Sequence, residues 1–152
     1  MRKVFVALSG LLLLAVVLQF YFAAYGAFTL PPPATMEGEQ EAFQLHAMNS
    51  NIILLLSLLA AIGALLAKAG WRTALLAFTP FILVWVQIVI FILAGAAGGD
   101  PEAVPPVSTP AAHVIVAFHA INALAILGVS IAVLRRAIAH DRVGTAPVPA
   151  VP

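Results

Sequence analysis

His46 and His119 each open the same short pattern, and two imidazoles brought face to face can bind one metal from opposite sides. The segments read HAMNSNIILLLS from His46 and HAINALAILGVS from His119, twelve residues with six identities that include His, Asn and Ser. Shared Ala, Ile and Leu are expected in so apolar a chain. A shared His-Ala-x-Asn is not, because the 152 residues hold only four His and three Asn. The chemistry such a pair points to is axial ligation of a haem iron. Two imidazoles fill both axial positions, leave none open for oxygen, and so favour electron transfer. Two other uses stand beside it: hydrogen-bond glue between helices, each bond contributing about 1 kcal/mol, and binding of another ligand or ion. Zinc is the weakest of these, since it takes three or four protein ligands.

The elements that must position the pair are helices. At about 100° per residue, His46, Asn49, Ile53 and Ser57 fall within roughly 80° of one another, as do His119, Asn122, Ile126 and Ser130. Such a polar stripe turns toward the interior of a membrane bundle, where its groups find partners that hydrocarbon cannot supply. Asn49 and Asn122, one turn from the histidines, can bond a ligand carboxylate, a water or a neighbouring helix. Ser57 and Ser130 lie deeper and are assigned to interhelical packing.

Composition sets the class. With 63% hydrophobic and 9% charged residues and a mean hydropathy of +1.10, the chain cannot present a polar surface to water and reads as an integral membrane protein. Four stretches reach the roughly 20 residues needed to cross a bilayer: 4–28, 43–67, 73–97 and 112–134. No cysteine is present, which excludes disulfides, iron–sulfur clusters and thiolate ligation. No residue set resembles a hydrolase, a nucleotide site or a nucleic-acid surface.

All seven basic residues fall on one side of the four spans: Arg2, Lys3, Lys68, Arg72, Arg135, Arg136 and Arg142. Five of the six acidic residues, Glu37, Glu39, Glu41, Asp100 and Glu102, fall on the other. The basic side is cytoplasmic, so both termini are inside and the histidines sit in the outer half of the membrane. The Ala, Val, Leu and Pro bias is that of a GC-rich bacterial genome, and the expected location is the bacterial inner membrane. The first span is too long for a cleaved signal peptide.

The outer loops are proline-rich and acidic, which disfavours continuous helix, and read as lids. Gly70 is the expected turn between spans two and three. Residues 141–152, ending in TAPVPAVP, form an expected disordered cytoplasmic tail after a domain over 1–140.

Gln19 and Gln87 lie 16 and 15 residues from the nearest basic residue. They therefore share a depth near the histidines and can donate to an imidazole, line a ligand pocket or pair across the bundle. His113, six residues before His119, is rotated roughly 240° off the stripe and reads as an interfacial or propionate-facing group. His140 has no assigned role. Gly10, Gly63 and Gly128 are expected where helices approach closely or a ring edge needs space. Pro80 is expected to kink span three, with Thr79 satisfying the freed carbonyl.

On His46, His119 and the four-span repeat, the chain resembles small four-helix membrane proteins of the b-type haem kind. It is similar to one half of haem A synthase, in which histidines on the second and fourth helices of a four-helix unit face one haem. It also looks like an uncharacterised bacterial family of four-span proteins with a His near the start of span two and His-x-x-Asn near the start of span four. Where haem A synthase carries a glutamate before and an arginine after its first histidine, this chain has Phe43 and Ala47, so haem A synthesis itself is not implied. No Lys or Arg lies on the outer side to meet haem propionates. Ser108, Thr109, His113, Gln40, Gln44 and loop amides are what that side offers.

The resulting expectation is an all-α, integral membrane four-helix bundle, up-down-up-down, with a pseudo-twofold repeat of two helical hairpins. It holds haem b between His46 and His119, flanked by Asn49, Asn122, Gln19, Gln87 and His113, and relays electrons, with a quinone or a redox protein as partner and a homo- or hetero-oligomer in scope. Two alternatives differ in class: a cofactor-free structural or accessory subunit, and a carrier or sensor of a small quinone-like ligand.

Overall fold

The computed structural model describes residues 1–98 and 109–144. Five helices follow one another: α1 (Arg2–Ala27), α2 (Met36–Ala42), α3 (Gln44–Leu66), α4 (Trp71–Ala96) and α5 (Pro110–Gly144). Four of them, all but α2, are long and apolar enough to cross a membrane. Their outward faces carry large exposed side chains such as Leu14, Val17, Leu55, Ile92 and Leu124, a surface that hydrocarbon solvates and water does not. By length and composition this is a multi-pass membrane protein.

The long helices form a bundle in which α1 packs on α3, α3 on α4, α4 on α5 and α5 on α1, leaving α1 opposite α4 and α3 opposite α5. All seven basic side chains belong to one end, at the start of α1 and α4 and the end of α3 and α5. At this end the core is built from small residues, with Ala60, Ala64, Ala77 and Ala137 fully buried around Phe5 and Val133. Small side chains bring backbones close enough for dense van der Waals contact, the main force between helices that lack a hydrophobic drive to associate. Ser9, Ser57 and Ser130 are also fully buried, and each hydroxyl donates to the carbonyl four residues back, at 2.7, 2.7 and 2.8 Å. The two serines of the repeated pattern thus pack as expected.

The connections explain the pairing. The α3–α4 turn is tight: Ala69 N–H donates to Ala64 O at 2.9 Å, and Lys68 (φ 59°) and Gly70 (φ 88°) both take left-handed backbone. Gly70 is thus the turn residue, as its position implied. At the other end α2 is a single capped segment whose Thr35 hydroxyl accepts from Gly38 N–H at 3.2 Å, with Glu37 and Glu39 in the first turn. The ring of Phe43, between α2 and α3, lies against Gly26, where an added Cβ would come within 2.7 Å of it. The first loop therefore folds back onto the end of α1.

Several expectations change. Helix α5 runs to Gly144, ten residues past the span expected to end at 134, because Ala137 and His140 still have the bundle to pack against. His140 Nε2 lies 2.9 Å from Ala67 O and caps the end of α3. Residues 141–144, assigned to a disordered tail, are helical. Of the three glycines assigned to close approach, only Gly63 serves it, with Leu8 and Phe5 against its backbone; Gly10 and Gly128 face open space. Thr79 donates to Leu75 O at 3.0 Å, not to Leu76 O, the carbonyl four residues before Pro80. The Pro-rich segment 99–108, expected as a lid with Asp100, Glu102 and Ser108, and the tail 145–152 lie outside the described residues.

Gly63→Leu should therefore lower stability by about 1–3 kcal/mol through overpacking. Gly128→Ala should leave it unchanged or raise it by up to about 1 kcal/mol through helix propensity. Thermal unfolding of both variants in one detergent checks the contrast, and equal effects would show that Gly63 is not a contact point.

Candidate functional site

Away from the basic end the core changes character. Above Ile53 and Ile126, both buried, polar side chains from all four long helices converge. On the first hairpin, Asn49 Nδ2 donates to Ala15 O at 2.8 Å and to Gln19 Oε1 at 2.6 Å. Gln19 Nε2 donates to His46 O at 3.1 Å. The same amide lies 3.1 Å from His46 Nε2, and His46 Nδ1 lies 3.2 Å from Gln19 O. A carbonyl only accepts, so Nδ1 carries the proton and Nε2 accepts from the amide. The three side chains close one network between α1 and α3.

The second hairpin uses the same residue types at matching places. Gln87 Nε2 donates to His119 O at 3.1 Å, and Asn122 Nδ2 donates to Leu83 O at 2.8 Å. Leu83 stands four residues before Gln87, as Ala15 stands four before Gln19. The network is less complete here, because Gln87 Oε1 and His119 Nδ1 are buried without a hydrogen-bond partner. Their counterparts Gln19 Oε1 and His46 Nδ1 are both bonded.

The two imidazoles meet across the bundle axis with ring centres 6.2 Å apart and planes inclined by 45°. Phe91 stands edge-on to His119 at 4.9 Å, and Phe43 edge-on to His46 at 6.3 Å. A cavity of about 390 Å³ lies against both histidines, within the range of small-molecule sites. The first hairpin offers it Gln19 and His46, the second Gln87 and His119. Since each hairpin is bonded internally by its own Gln and Asn, the cavity is a slot between two plates.

Of the residues expected at a site, His46, His119, Gln19 and Gln87 line this cavity. Asn49 and Asn122 do not; they are spent on the neighbouring helices α1 and α4. His113 is exposed on the first turns of α5 and is not among the lining residues. Ser50 and Asn51 do line the cavity, although their position outside the repeated pattern had assigned them nothing. The available signal was that Asn51 is the one asparagine left over from the repeat. Among the described residues no group of three or more His, Cys, Asp or Glu side chains converges on a metal position.

Fold and site together define a four-helix bundle of membrane type with a histidine-faced cavity between its two hairpins. Residues 19–96 match a family of unknown function, DUF6220, and the chain belongs to it. The matched segment takes in Gln19, His46, Asn49 and Gln87 and ends with α4. No curated protein and no solved structure matches the chain.

Asn49 makes two interhelical bonds and Asn122 one, so Asn49→Ala should cost about 1–2 kcal/mol and Asn122→Ala about half of that. Denaturation in mixed SDS micelles measures both, and a cost that is equal or reversed in order would refute the asymmetry of the two networks.

Proposed function

We propose that the protein holds one b-type haem between His46 and His119 and relays electrons, with a membrane donor such as a quinol on one side of the exchange. The observation that carries this reading is the spacing of the rings. The ring centres of His46 and His119 lie 6.2 Å apart across the axis, close enough that both imidazoles would hold one metal between them once His46 Nε2 turned from the Gln19 amide.

The residues fit the group. Neither ring nitrogen of His119 has a hydrogen-bond partner among the described residues, so its lone pair is free for a metal. His46 Nδ1 donates to Gln19 O, the arrangement that orients a ligating imidazole and raises its basicity. Gln19 and Gln87 hold the backbone carbonyls of the two histidines and so fix where each ring leaves its helix. Val16, Val84, Ile53, Ile126 and Phe91 give the slot apolar walls. When bound, a haem with two imidazole ligands supplies one-electron exchange at a closed iron. In this reading the chain is a pseudo-twofold repeat of two hairpins in a bacterial cytoplasmic membrane, with both termini inside and the slot in the outer half.

One observation favours a second reading. His46 Nε2 is already engaged by the Gln19 amide, which suits a carrier or sensor whose quinone-like ligand needs no metal bond.

Wild-type protein expressed with ample haem should show a b-type reduced-minus-oxidised spectrum at about one haem per chain. His46→Ala and His119→Ala should each lose roughly tenfold or more of the bound haem. A folded, colourless wild type would overturn the haem reading, and saturable quinone binding by that protein would support the second.

A further inference from the structure

The residues that line the slot away from the axis fall into two groups, one between α3 and α4 and the other between α1 and α5. Around α3, Asn49 faces α1, His46 and Ile53 face the axis, and Ser50 and Leu54 follow on the α4 side, with Asn51 turned further outward. Around α5 the same rotation puts Asn122 toward α4, His119 and Ile126 on the axis, and Ala120 and Ala123 toward α1. One edge is therefore formed by Ser50, Asn51 and Ile88, the other by Phe20, Ala23, Ala120 and Ala123.

The lining positions of the two hairpins correspond with unchanged polarity almost throughout: Val16 with Val84, Gln19 with Gln87, Phe20 with Ile88, Ala23 with Phe91, His46 with His119, and Ile53 with Ile126. The correspondence fails at Ser50 and Asn51, whose counterparts are Ala123 and Leu124. Asn51 is exposed on a helix otherwise faced with Leu and Ile, where an unpaired carboxamide is costly. Among the described residues its only hydrogen bond is a long one, from Nδ2 to Ala47 O at 3.3 Å, which leaves Oδ1 and a second N–H unused there. Ser50 Oγ donates to the same carbonyl at 2.6 Å. No described residue uses the spare capacity of this edge, and both side chains line the cavity.

We propose that Ser50 and Asn51 are the specificity determinants of the slot: they receive the polar edge of a flat, asymmetric ligand and so admit it in one of two otherwise equivalent orientations. The assignment rests on the haem reading, in which that polar edge carries the two propionates. Turning such a ligand by half a turn about the His46–His119 line exchanges its polar and apolar edges while both imidazoles stay in place. The walls differ in size, with Phe91 where the first hairpin has Ala23, but of the two edges only the α3–α4 one carries polar side chains, Ser50 and Asn51. Asn51 N–H and a Ser50 hydroxyl swung away from Ala47 O donate to the carboxyl oxygens. They replace the cationic partners that this end of the bundle lacks.

The test titrates the full chain in detergent with iron protoporphyrin IX and, separately, with its dimethyl ester. Wild type should bind the free acid at least roughly tenfold more tightly, in keeping with two or more lost hydrogen bonds to charged groups, and its ferric proton spectrum should show one set of haem-methyl signals. Ser50→Ala combined with Asn51→Leu should abolish the preference and give two sets of signals, with the visible spectrum of the iron unchanged. Adding Ala123→Ser and Leu124→Asn to that double variant should restore the preference with the opposite orientation. A wild type without preference, or a double variant that retains it, would overturn the assignment and leave the haem reading standing. Uptake of neither porphyrin by wild type would overturn both.

Discussion

In an apolar slab polar side chains need partners within the protein, and for the Gln and Asn of each repeat that partner lies on the neighbouring helix of the same hairpin. Asn49 reaches Ala15 O while Gln19 reaches His46 O, so two bonds running in opposite directions fix α1 and α3 in register about a single turn. Asn122 and Gln87 do the same for α5 and α4. Each hairpin becomes a plate whose internal geometry is set by these bonds, and the two plates meet by packing and, at the basic end, by the bond from His140 to Ala67 O. The position of both histidines follows, because each histidine's own carbonyl is one of the anchored groups.

How the plates meet is decided by side-chain volume. At the basic end Ala60, Ala64, Ala77 and Ala137 are fully buried and Gly63 receives Leu8 and Phe5 directly, so the backbones close. Toward the other end the larger Ile53, Ile126, Val84 and Phe91 line the cavity beside the rings of His46 and His119. The small-residue half supplies most of the dispersion contact, which leaves the other half able to keep a cavity without losing the fold. The gradient along the axis thus separates a stabilising half from a ligand-sized half.

Much of this was legible in the residues. Four apolar runs and seven basic residues on one side are properties of single segments, and they specified the long helices and the order of their ends. The shared His-Ala-x-Asn was legible because polar residues are scarce, and a wheel put each stripe on one face. What a wheel cannot supply is the distance between faces. Asn49 and Asn122 lie on the stripe, yet they are consumed by α1 and α4, because the carboxamide of each reaches a backbone carbonyl before it reaches the slot. Ser50 and Asn51 lie off the stripe, yet they line the slot together with Ile88 and Phe91 of α4. The run of α5 past residue 134 was hidden because its cause, packing of Ala137 and a bond from His140 to Ala67 O, is tertiary. Gly10 and Gly128 show the same limit from the other side, since a glycine in a sequence does not reveal which neighbour it admits.

The two histidines, matched in position, are unlike in their bonding, and the difference bears on how the slot can be filled. His46 has both ring nitrogens engaged by Gln19, whereas His119 is held by ring contact with Phe91 and has a buried Nδ1 without a partner. An unpaired buried group costs about 1–3 kcal/mol, and the first hairpin demonstrates that this fold can satisfy the corresponding atoms. Turning His46 Nε2 away would leave the Gln19 amide its bond to His46 O and its carbonyl the bond from Asn49, with one N–H unpartnered at a comparable cost. The matched histidines are therefore unequal: His119 stands with an unpartnered nitrogen, while His46 is held at both.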